Sequence, residues 1–160
     1  MSAVPYPLPL DASVSKRMSR NPRRDTRPER EVRSQLHARG LRFRVDFPLD
    51  VGDVRVRPDV VFTLWRIAIF IDGCFWHGCP EHGNTPNRNR DYWIPKLRRN
   101  VERDKTVDSA LFLSGWVVIR AWEHEPVQGV VAQVVAAINT QRCADNRHGS
   151  TPMPAPRHRR

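Results

Sequence analysis

An almost wholly apolar run at 66–71, Arg-Ile-Ala-Ile-Phe-Ile, most constrains what this chain can fold into. A short run without polar alternation is typical of a strand that is buried on both faces in the middle of a sheet. Asp72-Gly73 follows at once and ends the strand. Since such a sheet is covered on its faces by helices, the run favours the α/β class.

The rest of the chain supplies the other elements. Thr26-Arg27-Pro28-Glu29 resembles a helix start, with threonine as N-cap and glutamate as the acid of a capping box. Period-two alternation predicts a strand at 41–47, and a second strand is predicted at 54–62, with Pro58 at an edge or bulge. Beyond the central strand, the sequence predicts a helix at 91–114, a strand at 116–122 and a helix at 127–139.

This order predicts a mixed four-stranded sheet flanked by helices. Three consecutive strands can pair as an antiparallel meander, and the following helix can cross back to add the fourth strand. The folded domain is expected at 16–140. Prolines and basic residues at the two ends predict a disordered arm at 1–15 and a basic disordered tail at 141–160.

The net charge of the chain indicates what kind of partner it binds. The chain has 27 basic and 17 acidic residues and a net charge of +10, and the two ends carry most of the excess. Such arms suit a polyanion, above all nucleic acid, although a merely solubilising tail is the alternative. The sequence has no apolar run long enough for a membrane span and no recognisable secretory signal, so we expect a cytoplasmic, nucleoid-associated protein.

Two aspartates are candidate magnesium ligands. Asp59 lies in the second predicted strand and Asp72 at the end of the third, so antiparallel pairing could bring their carboxylates together. Like charges repel, and a hard cation such as Mg²⁺ relieves the repulsion. The alternatives are a turn residue for Asp72 and a solubilising charge for Asp59.

Cys74, Cys79 and His82 are spaced as ligands of a structural zinc site. His124 is the candidate for the fourth ligand, because it follows the strand expected beside the central one. The alternative is a pair of buried free thiols with surface histidines. Three cysteines, with Cys143 alone near the end, do not make a disulfide framework.

Between the two predicted metal sites lies Phe75-Trp76-His77. In a basic protein, Phe75, Trp76 and also Trp93 are either core plugs or wedges that enter the base stack. His77 could deprotonate a water for attack on phosphorus. Asp104 lies on the apolar face of its helix and could orient His77, or it pairs locally with the basic residues Arg99, Arg103 or Lys105.

These motifs resemble the very short patch repair (Vsr) DNA mismatch endonucleases over about residues 12–140. The resemblance rests on Arg57-Pro58-Asp59, on the stretch at 70–82, on Asn89-Arg90-Asp91-Tyr92-Trp93, on the stretch at 100–104, and on the Trp116 and Trp122-Glu123-His124 regions. It implies a fold related to the PD-(D/E)XK restriction nucleases. It also implies Mg²⁺-dependent nicking beside the thymine of a T:G mismatch in double-stranded DNA, by a monomer that works with mismatch-repair proteins.

The resemblance also implies roles for individual residues. Asp59 matches the metal-binding aspartate and His77 the catalytic histidine, with Asp104 as its supporting acid. Glu29 matches a catalytically important glutamate, although the capping box accounts for it equally well. The remaining matches are Phe75, Trp76 and Trp93 as aromatic wedges and Met18 in an arm that contacts the minor groove.

Two departures from the family pattern accompany it. A histidine stands in the best-studied form where this chain has Asp72, after a metal-binding backbone carbonyl at the Ile71 position. The zinc ligands here also mix cysteine and histidine differently. No lysine follows Asp72 at the usual nuclease spacing, so His77 has to replace it.

Two other functions remain open from the sequence. One is a restriction-type endonuclease of the same fold that cuts both strands of an unmodified site. The other is a zinc-stabilised DNA-binding module without hydrolytic activity.

Overall fold

The central strand forms where the apolar run predicts it. The computed structural model describes residues 24–83 and 89–148; the predicted arm at 1–15, Met18 and the chain after residue 148 lie outside these ranges. The elements in chain order are helix α1 (Arg27–Ala38), strands β1 (Leu49–Val51), β2 (Val54–Val56), β3 (Val60–Phe62) and β4 (Ile67–Asp72), helix α2 (Arg90–Leu113), strand β5 (Val117–Trp122) and helix α3 (Val127–His148).

Strand β4 lies in the middle of a three-stranded mixed sheet. It pairs antiparallel with β3 and parallel with β5, in a register that runs from Ile67 opposite Val117 to Asp72 opposite Trp122. Because β4 and β5 are parallel, their carboxyl ends meet at one edge of the sheet. Asp72 and the residues after Trp122 are thereby brought together, as the sequence predicts for the central strand and its crossover neighbour.

Both faces of the sheet are covered. Ile67 and Ile69 of β4 pack with α1 and α3, whereas Ala68 and Phe70 pack with α2 and the β1–β2 hairpin. Since successive side chains of a strand point to opposite faces, this alternation places β4 in the middle layer of a helix–sheet–helix arrangement. The α/β class is confirmed.

The predicted four-stranded sheet is wrong in two respects. Of the predicted strand at 41–47, only Arg44 forms a bridge, with Val61, and the extended backbone ends at Asp46, whose φ is 49°. The predicted strand at 54–62 is broken at 57–59. Its first part pairs with β1 in a separate two-stranded hairpin that turns at Gly52, and its second part becomes β3.

The break lies at Pro58, which is fully buried between the hairpin and the sheet. Proline has no backbone N–H to donate to a strand ladder, so pairing stops there and the chain changes sheets. Helix α3 continues to His148 instead of ending near residue 139. Within the described ranges, no helix has the length and apolar character needed to cross a membrane.

Candidate functional site

The predicted site residues meet at the carboxyl-end edge of β4 and β5. In parallel sheets this edge is the usual place for ligand sites, because side chains and loops from several strands converge there. Here the backbone N–H of Glu123 donates to the carbonyl oxygen of Asp72 at 2.9 Å, which ties the two strand ends together. Two side-chain clusters of different chemistry lie on this edge, one of carboxylates and one of cysteines and histidines.

Asp59 reaches the edge from the start of β3. Its backbone N–H donates to the carbonyl of Ile69 at 3.0 Å, and its Oδ2 accepts the N–H of Ile71 at 2.7 Å. Burial, reinforced by the negative charges of Glu29 and Asp72, raises the pKa of Asp59 to about 6, although the Ile71 hydrogen bond opposes the shift. A carboxyl group in such a place favours either a proton or a cation.

Glu29 is buried at the start of α1, with 6% of its surface exposed. Its carboxylate accepts the N–H of Asp25 at 2.9 Å and the hydroxyl of Thr26 at 2.8 Å, and it forms a 3.1 Å ion pair with Arg33. The predicted capping box is not formed, because the Thr26 side chain makes no hydrogen bond to the backbone N–H groups at the start of the helix. Instead Glu29 holds the turn before the helix and adds negative charge near Asp59.

Asp72 is buried and paired with an arginine. The Nη1 of Arg120 lies 2.8 Å from Oδ1 and 2.7 Å from Oδ2 of Asp72. Arg120 also donates from Nε to Asp108 at 2.9 Å and lies 3.4 Å from Asp104 through Nη2. Burial of Arg120 lowers its pKa, but its hydrogen bonds to Asp72 and Asp108 and its nearby carboxylates prevail, so the pKa rises overall.

Sequence reasoning missed Arg120. The available signal was a single charged residue in an otherwise apolar strand, because 117–122 reads Val-Val-Ile-Arg-Ala-Trp. Its partner in the parallel register is Phe70, and the guanidinium lies 4.5 Å from the centre of that ring.

The structure brings His77 and Asp104 together. The Nδ1 of His77 lies 2.6 Å from Oδ2 of Asp104 and 3.6 Å from Oδ1 of Asp72. Of the two partners that the sequence left open for Asp104, the histidine is the one in contact; its ion pairs among the described residues are with His77 and Arg120. Asp104 can thus hold the imidazole by Nδ1 and leave Nε2 as the nitrogen that exchanges a proton.

Cys74, Cys79, His82 and His124 form the second cluster, and one ligand atom from each lies within 4.8 Å of all the others. The two thiols are buried and the two imidazoles are exposed. Burial, together with the neighbouring Cys79 and Glu123, raises the pKa of the Cys74 thiol to about 11. Two sulfur and two nitrogen donors at this separation fit a four-coordinate metal ion, above all zinc. This cluster is a candidate metal site, as the sequence predicts.

The predicted aromatic wedges form one cluster. The ring of Phe75 lies 4.9 Å from that of Trp76 and 5.6 Å from that of Trp93, and the Nζ of Lys96 lies 5.2 Å from the centre of the Trp93 ring. Trp93 is buried, whereas Phe75 and Trp76 are partly exposed. Trp93 therefore supports the other two rings from below, which is close to the core-packing alternative.

An open groove of about 610 Å³ lies between the loop after β4 and helix α2. Its lining combines apolar side chains with basic ones, among them Phe75, Leu97, Arg90, Arg98 and Lys105. The carboxylate cluster does not line this groove. The groove is instead continuous with the aromatic cluster through Phe75.

Comparison with known proteins gives a consistent result. Residues 10–82 match the family of the DNA mismatch endonuclease Vsr. The type II nicking enzyme V.NaeI of Lentzea aerocolonigenes is 54% identical over 135 residues, which are 84% of this chain and 81% of that protein. The type II nicking enzyme V.XorIIP of Xanthomonas oryzae pv. oryzae is 43% identical over 104 residues, 64% of this chain and 73% of that protein.

The DNA mismatch endonuclease Vsr of Escherichia coli K12 is 38% identical over 116 residues, 70% of either chain. Two of these relatives are described as type II enzymes, which fits the restriction-type alternative better than general mismatch repair. Both are also described as nicking enzymes, which agrees with cleavage of one strand. The chain belongs to the Vsr DNA mismatch endonuclease family and is a DNA nicking endonuclease.

Proposed function

We propose that the protein is a type II nicking enzyme that hydrolyses one strand of duplex DNA at a defined short site, with Mg²⁺ as cofactor. The observation that carries the proposal is the convergence of Asp59 with the His77–Asp104 pair at one sheet edge. Family membership implies a restriction-endonuclease-like fold, and the carboxyl ends of parallel strands are a common place for ligand sites.

Asp59 and the backbone carbonyl of Ile71 are the proposed main Mg²⁺ ligands. Both are oxygen donors, and the pKa of Asp59 is raised mainly by burial and less by Glu29 and Asp72, so a cation there would stabilise the ionised carboxylate. Asp72 is a further ligand only through lone pairs that Arg120 leaves free. When bound, Mg²⁺ would polarise the scissile phosphate and stabilise the leaving oxygen.

His77 is the proposed general base. In this proposal Nδ1 of His77 keeps its proton and donates a hydrogen bond to Asp104. Nε2 is then unprotonated and can take a proton from the attacking water. Asp104 also stabilises the imidazolium that results. Glu29 supports this centre indirectly, through the negative charge that it adds beside Asp59.

The cysteine and histidine cluster is proposed to hold structural Zn²⁺. Zinc there would tie the loop after β4 to the residues after β5, and so fix the chain segment that carries Phe75, Trp76 and His77. Glu81 lies 3.5 Å from Nε2 of His124 and would orient that ligand.

A T:G mismatch within the recognition site is the second candidate for what selects the nicked strand. Phe75 and Trp76 are partly exposed beside a basic groove, as expected of side chains that enter a base stack. A mispaired step costs less to unstack than a matched step, so such wedges favour a mismatch. Met18 would contact the minor groove, and mismatch-repair proteins would then be functional partners.

A strand-specific nicking assay tests these proposals. The zinc-loaded protein is incubated with Mg²⁺ and with labelled duplexes that present candidate type II sites, each either matched or with a T:G mispair. Nicking of matched sites supports the type II proposal without the mismatch, and nicking beside the mispaired thymine alone supports the mismatch proposal. Equal cleavage of both strands would contradict nicking.

A further inference from the structure

Arg120 contacts more of the carboxylate cluster than any other basic residue in the described ranges. Its guanidinium reaches Asp72 with Nη1, Asp104 with Nη2 and Asp108 with Nε. These acids come from different elements, Asp72 from the end of β4 and the other two from α2. Arg120 therefore joins the sheet to the helix that carries the supporting acid of His77.

The geometry requires an arginine. A guanidinium presents several N–H groups in one rigid plane, so it can bind carboxylates on more than one side at the same time. An ammonium group carries its three N–H donors on one nitrogen at the end of a flexible stem, so it cannot reach these carboxylates from separate, rigidly placed nitrogens. The ring of Phe70 lies 4.5 Å from the guanidinium carbon and limits its movement on the sheet side.

Arg120 and His77 share the same two acids. Oδ1 of Asp104 lies 3.4 Å from Arg120, while Oδ2 lies 2.6 Å from Nδ1 of His77. Asp72 is bound by Arg120 and lies 3.6 Å from the same Nδ1. Fixing both carboxylates therefore fixes the position of the imidazole and the nitrogen on which it carries its proton.

Asp59 has a different environment. Among the described ion pairs, none joins Asp59 to an arginine or lysine, whereas both oxygens of Asp72 are bound to Arg120. The cluster thus contains one carboxylate that is neutralised within the protein and one that is left for an external cation.

We propose that Arg120 is a positioning residue of the nicking reaction, which binds Asp72 and Asp104 together and thereby holds His77, with Asp72 as its counterion. The inference rests on the proposed role of His77 in nicking. It assigns Asp72 to the histidine side of the centre, through Arg120, and leaves Asp59 as the main carboxylate ligand of Mg²⁺.

The test compares Arg120→Gln, Arg120→Lys, Asp72→Asn and the double variant Arg120→Gln/Asp72→Asn, all in the zinc-loaded protein. Single-turnover nicking at saturating Mg²⁺ and DNA should fall roughly 100-fold in Arg120→Gln, since a misplaced general base costs about this much. Arg120→Lys should recover only part of the rate. The double variant should be faster than Arg120→Gln, because it removes the carboxylate that was left without its counterion.

Arg39→Gln is the matched control. Arg39 is exposed at the end of α1, where its guanidinium contacts only Gln35 among the described hydrogen bonds, so the same loss of charge should leave the rate unchanged. DNA affinity and thermal unfolding are measured for every variant. A loss of rate explained by weaker DNA binding or by unfolding, or additive effects in the double variant, would overturn the proposal.

A second readout does not depend on nicking. Ring ¹⁵N chemical shifts of His77 report which nitrogen carries the proton in the neutral imidazole. We expect the proton on Nδ1 in the unaltered protein and a mixture of both forms in Arg120→Gln. If the unaltered protein nicks no DNA, the proposed function fails, while an unchanged proton position in Arg120→Gln would separately refute the positioning role.

Discussion

The two clusters at the sheet edge solve the problem of buried ionisable groups in different ways. The cysteine and histidine cluster gathers sulfur and nitrogen donors that together could hold a metal ion. In the carboxylate cluster, Arg120 binds Asp72, Asp104 and Asp108, whereas Asp59 stands apart with its raised pKa. Under the proposed function, the first cluster would need its metal for structure, whereas the second would need a metal only for its reaction.

Cys79→Ser should have the largest effect, because it removes one proposed ligand from the cysteine and histidine cluster. A structural zinc site contributes on the order of 10 kcal/mol of binding free energy, so its loss should unfold much of the loop after β4. We expect loss of bound zinc and a fall in the unfolding temperature of about 10 °C or more. Metal analysis and calorimetry measure both. Cys143→Ser, an exposed thiol elsewhere, should change neither.

His77→Ala should slow nicking but leave the stability of the protein unchanged. Removal of a general base slows proton transfer, so single-turnover nicking should fall about 10²- to 10⁴-fold. DNA binding and thermal stability should stay close to those of the unaltered protein, because His77 is not in the apolar core. A gel assay of nicking, with a separate binding titration, measures the two quantities. Equal losses of binding and nicking would contradict this role.

Asp59 should make the carboxylate cluster sensitive to pH. Its folded pKa of about 6 lies above the ordinary value of 3.8, so the folded state binds the proton more tightly than the unfolded state. The stability gained from this protonation is complete below about pH 4 and is lost as the pH rises through 6. Above pH 6, Asp59→Asn should therefore raise the free energy of unfolding of the Mg²⁺-free protein by about 1–3 kcal/mol.

The same titration has the opposite effect on activity. Mg²⁺ needs the ionised carboxylate, so nicking should fall about tenfold per pH unit below the pKa of Asp59. Asp59→Asn should abolish nicking and also remove the stabilisation that Mg²⁺ gives to the unaltered protein. Unfolding scans at pH 4 and pH 8, with and without Mg²⁺, measure these effects. A variant that is less stable at pH 8 would contradict the assignment.

Glu29→Gln should have the smallest effect of these substitutions. The amide keeps acceptor capacity for Asp25 and Thr26 but loses the ion pair with Arg33, so we expect a loss of about 1 kcal/mol in stability. Nicking should fall about tenfold, because the charge near Asp59 changes. Glu31→Gln, at an exposed ion pair with Arg27, is the control. An unchanged nicking rate would leave Glu29 as a structural residue only.

The sequence predicts the soft cluster better than the hard one. Three of its ligands lie at 74–82, and local spacing is sufficient to predict them. The carboxylate cluster depends on Arg120, which is far from Asp72 in sequence and comes beside it only through the parallel register of β4 and β5. No local pattern encodes that pairing, so the sequence predicts Asp59, Asp72, His77 and Asp104 as site residues but not the arginine that contacts two of them.

The fold follows the same division. Strand β4 has an uninterrupted apolar run and helix α2 a long apolar face, and both form within one residue of their predicted limits. The predicted strands at 41–47 and 54–62 differ from the observed ones, because the sequence pattern there gives no sign of where one sheet ends and the next begins. The positive φ of Asp46 and the burial of Pro58 decide that, and both are consequences of tertiary packing.

The buried proline before Asp59 sets how precisely that carboxylate can be placed. If the chain slipped by one residue along β4, Asp59 would turn to the opposite face of the sheet. Such a slip would move Pro58, which has no N–H, into the ladder position where Asp59 now donates to Ile69. Pro58 thus acts as a fixed stop for strand alignment, and the accuracy of the proposed nicking centre depends on a residue that has no proposed part in the chemistry.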